Sequence, residues 1–147
     1  MARYLVDTNL LLRILGPDSE QRRQAITAIT SLRSQGDILY TTPQIVIEFW
    51  SVATRPADAN GFGWDAAVVS SEVGNMLQRF PLLEDTPAIF ANWLDIVQSL
   101  RVEGKRSHDA RLVAVMQAHG VDHLLTFNTS DFAVHQGITV VHPADVS

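Results

Sequence analysis

Tyr4-Leu5-Val6 runs straight into Asp7-Thr8-Asn9, and Leu10-Leu11-Leu12-Arg13-Ile14-Leu15 follows. A short apolar run bounded by polar residues predicts a buried strand. The second apolar run, with Thr8 or Asn9 as its N-cap, predicts the start of a helix. Asp7 therefore sits where a strand ends and a helix begins. In open α/β sheets that edge is where ligands bind. An acid at that place can also do no more than brace a turn. Its meaning depends on whether other acids gather at the same edge.

The rest of the chain keeps alternating. Gly16-Pro17-Asp18 breaks the first helix. Ser19 caps a second, with Ala25, Ile26, Ile29 and Leu32 at helical spacing and Gly36 as its stop. A short strand is predicted over 37–40. Thr42-Pro43 is an N-cap followed by proline at the first helical position, opening a helix to Thr54. Arg55-Pro56 ends it, and 57–63 reads as a loop. The next helix is predicted over 64–80, with Val68, Val69, Val73, Met76, Leu77 and Phe80 as its apolar face. Residues 81–84 read as a minor strand. Thr86-Pro87 repeats the cap-and-proline device before a helix bearing Ile89, Phe90, Trp93, Ile96, Val97 and Leu100. After a charged loop at 101–106, Ser107 caps a helix that Gly120 ends. Strands follow over 124–127 and 138–141. This alternation predicts one α/β domain over 1–147, a parallel sheet flanked by helices on both faces.

Length and composition allow that fold. The chain has 147 residues, 46% hydrophobic and 18% charged, enough for one domain with a core. No apolar stretch approaches membrane-span length, so no membrane contact is expected. Met1-Ala2-Arg3 leads directly into the first strand and leaves no room for a signal peptide. The absence of cysteine excludes disulfides, thiolate metal sites and cysteine nucleophiles, and fits a cytoplasmic protein. A net charge of −5 argues against broad nonspecific binding to nucleic acid. It is compatible with a nucleic-acid substrate held near metal ions, because bound metal reverses the field of an acidic cluster.

Two further acids stand in apolar company. Glu48 is flanked by Ile45, Val46, Ile47, Phe49, Trp50 and Val52. Gln44, Glu48, Ser51 and Arg55 form one narrow polar stripe, which faces either water or a polar cleft. Asp109 is more telling. Leu112, Val113 and Met116 lie within about 60° of it on a helical wheel. On that face a charge requires a partner or a metal, although an acid in a first turn also complements the helix dipole. Asn128 and Asp131 follow a strand and are candidates for the edge that holds Asp7. The consecutive Ser107-His108-Asp109 is not a catalytic triad, because triad members converge from different parts of a fold. The five histidines show no metal-ligand spacing, and His123, His135 and His142 read as surface or strand-end residues. No phosphate-binding glycine motif is present.

Leu5-Val6-Asp7-Thr8-Asn9, the helical Glu48, His108-Asp109-Ala110, and the stretch from Leu125 to Phe132 together resemble the PIN domain. Their order and spacing are similar to those of its small bacterial VapC-type toxins. The resemblance covers essentially the whole chain. It implies an endoribonuclease dependent on Mg²⁺ or Mn²⁺, the toxin half of a toxin–antitoxin pair. By that pattern Asp7, Glu48 and Asp109 are the core catalytic and metal-binding acids, with Asp131 as a fourth. Thr8, Asn9, Thr126 and Asn128 are supporting polar groups. Many relatives carry Asp where this chain has Asn128, so the fourth acidic role is divided between Asn128 and Asp131. The resemblance also implies products with a 5′-phosphate and a 3′-hydroxyl, a homodimer, and an antitoxin segment that blocks the acidic cleft.

Two surfaces are expected around the site. Arg101, Lys105, Arg106 and Arg111 crowd the approach to Asp109 and form either a solvated loop or a basic rim for RNA phosphates. Phe62 and Trp64, flanked by Gly61 and Gly63, are expected on an exposed loop where one or other contacts a second subunit or the antitoxin, with the other large aromatics in the core. The alternative is that Trp64 begins its helix facing the core and Phe62 alone is the candidate. The alternative functions are a receiver-like signalling domain and a non-catalytic PIN-like module that binds RNA or a partner. The only lysine, Lys105, lies in a loop rather than at a strand end, which counts against the receiver.

Overall fold

Successive residues of a strand face opposite sides of a sheet. Leu5 and Val6 are nevertheless both fully buried, and so are Leu124 and Leu125. Helices therefore cover both faces of the sheet, the arrangement expected of parallel strands. The computed structural model describes residues 1–147. In chain order the elements are β1 (Arg3–Val6), α1 (Thr8–Leu15), α2 (Glu20–Ser34), β2 (Ile38–Tyr40) and α3 (Pro43–Thr54). They continue with α4 (Ala66–Arg79), α5 (Pro87–Leu100), α6 (Arg106–His119), β3 (His123–Leu125) and β4 (Thr139–Val141). All strand pairs are parallel, in the order β2-β1-β3-β4. The α/β class and parallel sheet expected from the sequence are those observed.

This order places a switch point beside β1. The chain leaves β1, crosses to β2 on one side, and later returns through β3 on the other. Loops leaving β1 and β3 therefore diverge and open a crevice at the strands' carboxyl ends. Val6 pairs with Leu125 at the last register position, and the Asp7 N–H donates to the Leu125 carbonyl at 3.0 Å. Asp7 and Thr126 are thus the first residues beyond the strands, side by side at the mouth of that crevice. Helix α6 crosses the core: Leu112, Val113, Ala114, Val115 and Met116 are all buried. Burial there runs all round the helix, not along the single stripe inferred for Asp109.

Several local expectations need correction. The N-cap of α1 is Asp7, whose Oδ1 accepts from the Thr8 N–H at 2.7 Å, and not Thr8 or Asn9. Helix α4 begins at Ala66 with Asp65 as its cap. Trp64 lies outside it, and Val68 and Leu77 face solvent. Helix α6 begins at Arg106, and Ser107, already in its first turn, donates to the Gly104 carbonyl. Thr86 precedes α5 without a side-chain capping bond. The expected apolar face of α5 is covered in part: Ile89 is buried and Trp93 and Ile96 pack against the core, whereas Phe90 and Leu100 are exposed. Ile26 and Trp50 are also partly exposed, while His135 is buried. Helical period tells which side chains share a face, but tertiary contacts decide what covers it.

The 55–64 segment is a cap for α3. The Phe62 and Trp64 N–H groups donate to the Val52 and Ala53 carbonyls at 3.3 and 3.0 Å. The Ala53 carbonyl would otherwise be orphaned at the helix end, while that of Val52 also accepts from the Arg55 N–H at 3.2 Å. The Phe62 and Trp64 rings lie 4.7 Å apart, tilted by 49°, and pack partly buried against the core. They are not the exposed contact pair expected. Gly61 makes the fold-back possible, because a Cβ there would meet the Arg55 carbonyl oxygen at 2.0 Å.

Candidate active site

Asp7 heads the site as the first residue beyond β1 and the N-cap of α1. It is only 8% exposed. Its Oδ1 is committed to the α1 amide, and its Oδ2 accepts from the Thr126 hydroxyl at 2.8 Å and from Asn9 Nδ2 at 3.4 Å. Asn9 also donates to Thr126 Oγ1 at 3.1 Å and accepts from the Phe127 N–H at 3.2 Å. The Asn128 N–H donates to Thr126 Oγ1 at 3.0 Å. The ends of β1 and β3 are thus sewn together by Asp7, Asn9 and Thr126. Asn128 contributes through its backbone, and its exposed side chain does not join this network.

Glu48 faces this cleft. Its Oε2 accepts from the Thr8 hydroxyl at 2.9 Å, and its Oε1 accepts from Gln44 Nε2 at 3.2 Å. The open question about its polar stripe is therefore answered by a contact across space. Gln44 also donates to the His108 carbonyl at 2.8 Å and accepts from Arg111 at 3.1 Å. It ties α3 to the first turns of α6, a role the sequence reading missed. The signal was its i, i+4 spacing to Glu48.

Asp109 completes a group of three acids coupled through their charges. Burial raises the Asp7 carboxyl to about 6, and Glu48 and Asp109 push it the same way against the hydrogen bonds of Thr126 and Thr8. Asp109 is also raised, first by burial and then by Asp131, with Glu48 adding to both. Arg106 and Lys105 oppose that shift. Asp131 stands next to Asp109 but is held by Arg106. Its Oδ1 lies 3.2 Å from one guanidinium nitrogen, and its carbonyl accepts from another at 2.9 Å. Arg111 pairs with Asp85 at 3.2 Å. Two of the four expected rim cations are therefore engaged within the chain, while Arg101 and Lys105 are exposed. Both pairs are half-exposed and contribute little to stability.

The donors suit a hard divalent cation, since they are carboxylate and amide oxygens. Glu48 and Asp109 are the charges that act most on Asp7, while Arg106 and Lys105 act on Asp109 at the other side of the cluster. As the side chains stand, no group of three or more acids or histidines closes tightly enough to enclose an ion. The chemistry of the donors fits a cation held by one or two carboxylates with water and phosphate completing its shell.

A family model described as PIN domain matches residues 4–136. A relative named Ribonuclease VapC24, from Mycobacterium tuberculosis, is 27% identical over 133 residues, covering 86% of this chain and 87% of its own length. Among solved structures, VapBC-1 from nontypeable Haemophilus influenzae superposes with a TM-score of 0.73 and 15% identity, covering 97% of this chain and 99% of that one. VapBC2 from Rickettsia felis, bound to a promoter DNA fragment, gives 0.72 and 13% identity over 95% and 98%. At such identities the two structures speak for the fold alone.

Proposed function

Because this chain belongs to the PIN-domain family, we propose that it is a metal-dependent endoribonuclease and the toxin of a toxin–antitoxin pair. The observation that carries this reading is the gathering of Asp7, Glu48 and Asp109 at the switch point, with Glu48 bonded to Thr8 beside Asp7 and both Glu48 and Asp109 acting on Asp7 through their charges. Similarity to a protein named as a ribonuclease supports RNA as the substrate. Similarity to VapBC structures supports an antitoxin partner.

Asp7, Glu48 and Asp109 would hold Mg²⁺ or Mn²⁺, and Asp131 would join them only on leaving Arg106. The bound cation supplies Lewis-acid charge at the phosphodiester and makes water easier to ionise. The chain's own groups orient the site. Thr126 and Asn9 fix the Asp7 carboxylate, and Thr8 with Gln44 fixes that of Glu48. Cleavage leaves a 5′-phosphate and a 3′-hydroxyl. Lys105 and Arg101 remain to meet RNA phosphates.

Besides the acidic cleft, which an antitoxin segment would block, the chain offers a second surface for a partner. A hollow of about 400 Å³ between α1, α2 and α4 is lined by Leu11, Ile14, Ile26 and Phe80, with Arg33 and Arg79 on its rim. It has the apolar character to take an antitoxin segment. A homodimer stays in the reading, with Phe62 and Trp64 partly buried on the chain's own core. The test is cleavage of a mixed RNA pool with and without Mg²⁺ or Mn²⁺, with Asp7→Asn as control. Cation-dependent cleavage lost in the variant is expected, and equal cleavage by both proteins would refute the assignment.

A further inference from the structure

An aromatic-walled hollow beside the carboxylates has no part in the chemistry above. It lies between the first turns of α5 and α6 and encloses about 340 Å³. That is the small end of the roughly 300–1,000 Å³ typical of small-molecule sites, suited to one planar group. Phe90 and Trp93 form its apolar wall, their rings 5.9 Å apart and tilted by 35°. The Trp93 indole N–H donates to the Ser107 carbonyl at 2.8 Å, which fixes that ring. Phe90 is 66% exposed, so its ring lacks cover from the protein.

The polar groups around these rings are of two kinds. Arg111 is held in place by Asp85 and Gln44. Thr86 makes no side-chain capping bond, and the His108 contact to Gln44 runs through its carbonyl, leaving the exposed imidazole free. Trp93 and Arg111 are therefore held in place, while a hydroxyl and an imidazole at the lip are unspent. His108 and Arg111 also line the neighbouring hollow that contains Gln44 and Glu48. His108 immediately precedes Asp109. The two hollows are contiguous across these side chains.

We propose that this hollow is a subsite for one unstacked nucleobase of single-stranded RNA, next to the phosphodiester engaged at the carboxylates. The proposal rests on the ribonuclease reading and names the form of RNA that fits. Single-stranded RNA is recognised by splaying bases onto aromatic rings and arginine planes and bonding their edges. Phe90 and Trp93 supply the stacking surface, Arg111 the plane, and Thr86 and His108 the edge contacts. A base within a duplex cannot enter such a hollow without leaving its stack.

The experiment uses 12-nucleotide RNAs carrying the fluorescent base 2-aminopurine at each position in turn, titrated into Asp7→Asn protein so that binding is read without turnover. One position is expected to change strongly in fluorescence on binding. Adding Phe90→Ala should abolish that change and weaken binding about 5- to 100-fold, the loss of one base–aromatic stack. Phe90→Tyr should restore both. Making that position abasic should leave the Asp7→Asn protein and its Phe90→Ala derivative with equal affinity. Fluorescence unaffected by Phe90→Ala at every position, or an equal loss of affinity on intact and abasic RNA, overturns the subsite. So does a Phe90→Ala variant that loses only self-association by sedimentation, because the ring then belongs to a protein interface. Absence of cleavage by wild-type protein bears on the ribonuclease reading and is recorded separately from the fluorescence.

Discussion

At the scale of single residues, Asp7 sets the behaviour of the metal-free protein. Its folded carboxyl holds a proton up to about pH 6, against an ordinary value of 3.8. The folded state therefore binds more protons than the unfolded chain between these values, and stability falls as pH rises through them. The stabilisation is complete below about pH 4 and lost above about pH 6, on the order of 3 kcal/mol for this group. In metal-free buffer, Asp7→Asn should flatten this part of the stability–pH curve and be more stable than wild type at pH 7. Urea melts at pH 4.5 and pH 7 check this, and a wild-type curve rising across the interval would contradict it. Thr126→Val removes the hydroxyl donor to Asp7 and the acceptor of the Asn128 N–H. It should cost about 1–3 kcal/mol, the penalty of unpaired buried groups, and raise the Asp7 carboxyl further.

At the scale of elements, α3 depends on the loop that follows it. Gly61→Ala places a Cβ against the Arg55 carbonyl and should dislodge the segment that caps α3. A loss of about 1–3 kcal/mol is expected from the clash, with Phe62 and Trp64 more exposed. Tryptophan fluorescence and a thermal melt measure both, and an unchanged melting temperature would show that the loop does not brace the helix. The same element marks what the sequence could disclose. The starts of α2 and α3 were legible because a cap and a proline act within one turn. The Asp7 cap was missed because its bond reaches only the next residue and competes with the Thr8 and Asn9 signals. Glu48 could not be oriented from its stripe alone, since the deciding partner, Thr8, is 40 positions away. The margins of the α4 and α5 faces were misjudged for the same reason: period groups Val68 and Leu77, or Phe90 and Leu100, with the buried residues of each face, but no element covers them. The engagement of Arg106 with Asp131 likewise depends on a fold-level contact between α6 and the turn after β3.

At the scale of the whole molecule, the acidic edge and the apolar hollow between α1, α2 and α4 are separate surfaces, so their functions should be separable. Ile26 is partly exposed at that hollow. Ile26→Glu should weaken antitoxin binding at least tenfold while leaving RNA cleavage by the free protein intact. Calorimetry with the antitoxin reads the first and a cleavage assay the second. Loss of both together would mean that the substitution damages the fold. The central claim is that an overall acidic chain, at net charge −5, becomes an RNA-cutting enzyme when a divalent cation occupies the Asp7 edge. Its most direct measurement is the melting temperature and RNA-cleavage rate of wild type and Asp7→Asn, titrated side by side with Mn²⁺. Wild type should gain thermal stability and cleavage over the same Mn²⁺ range, releasing products with 5′-phosphates, while the variant gains neither. Cleavage by wild type that is indifferent to Mn²⁺ and Mg²⁺, or undiminished in Asp7→Asn, would contradict the account.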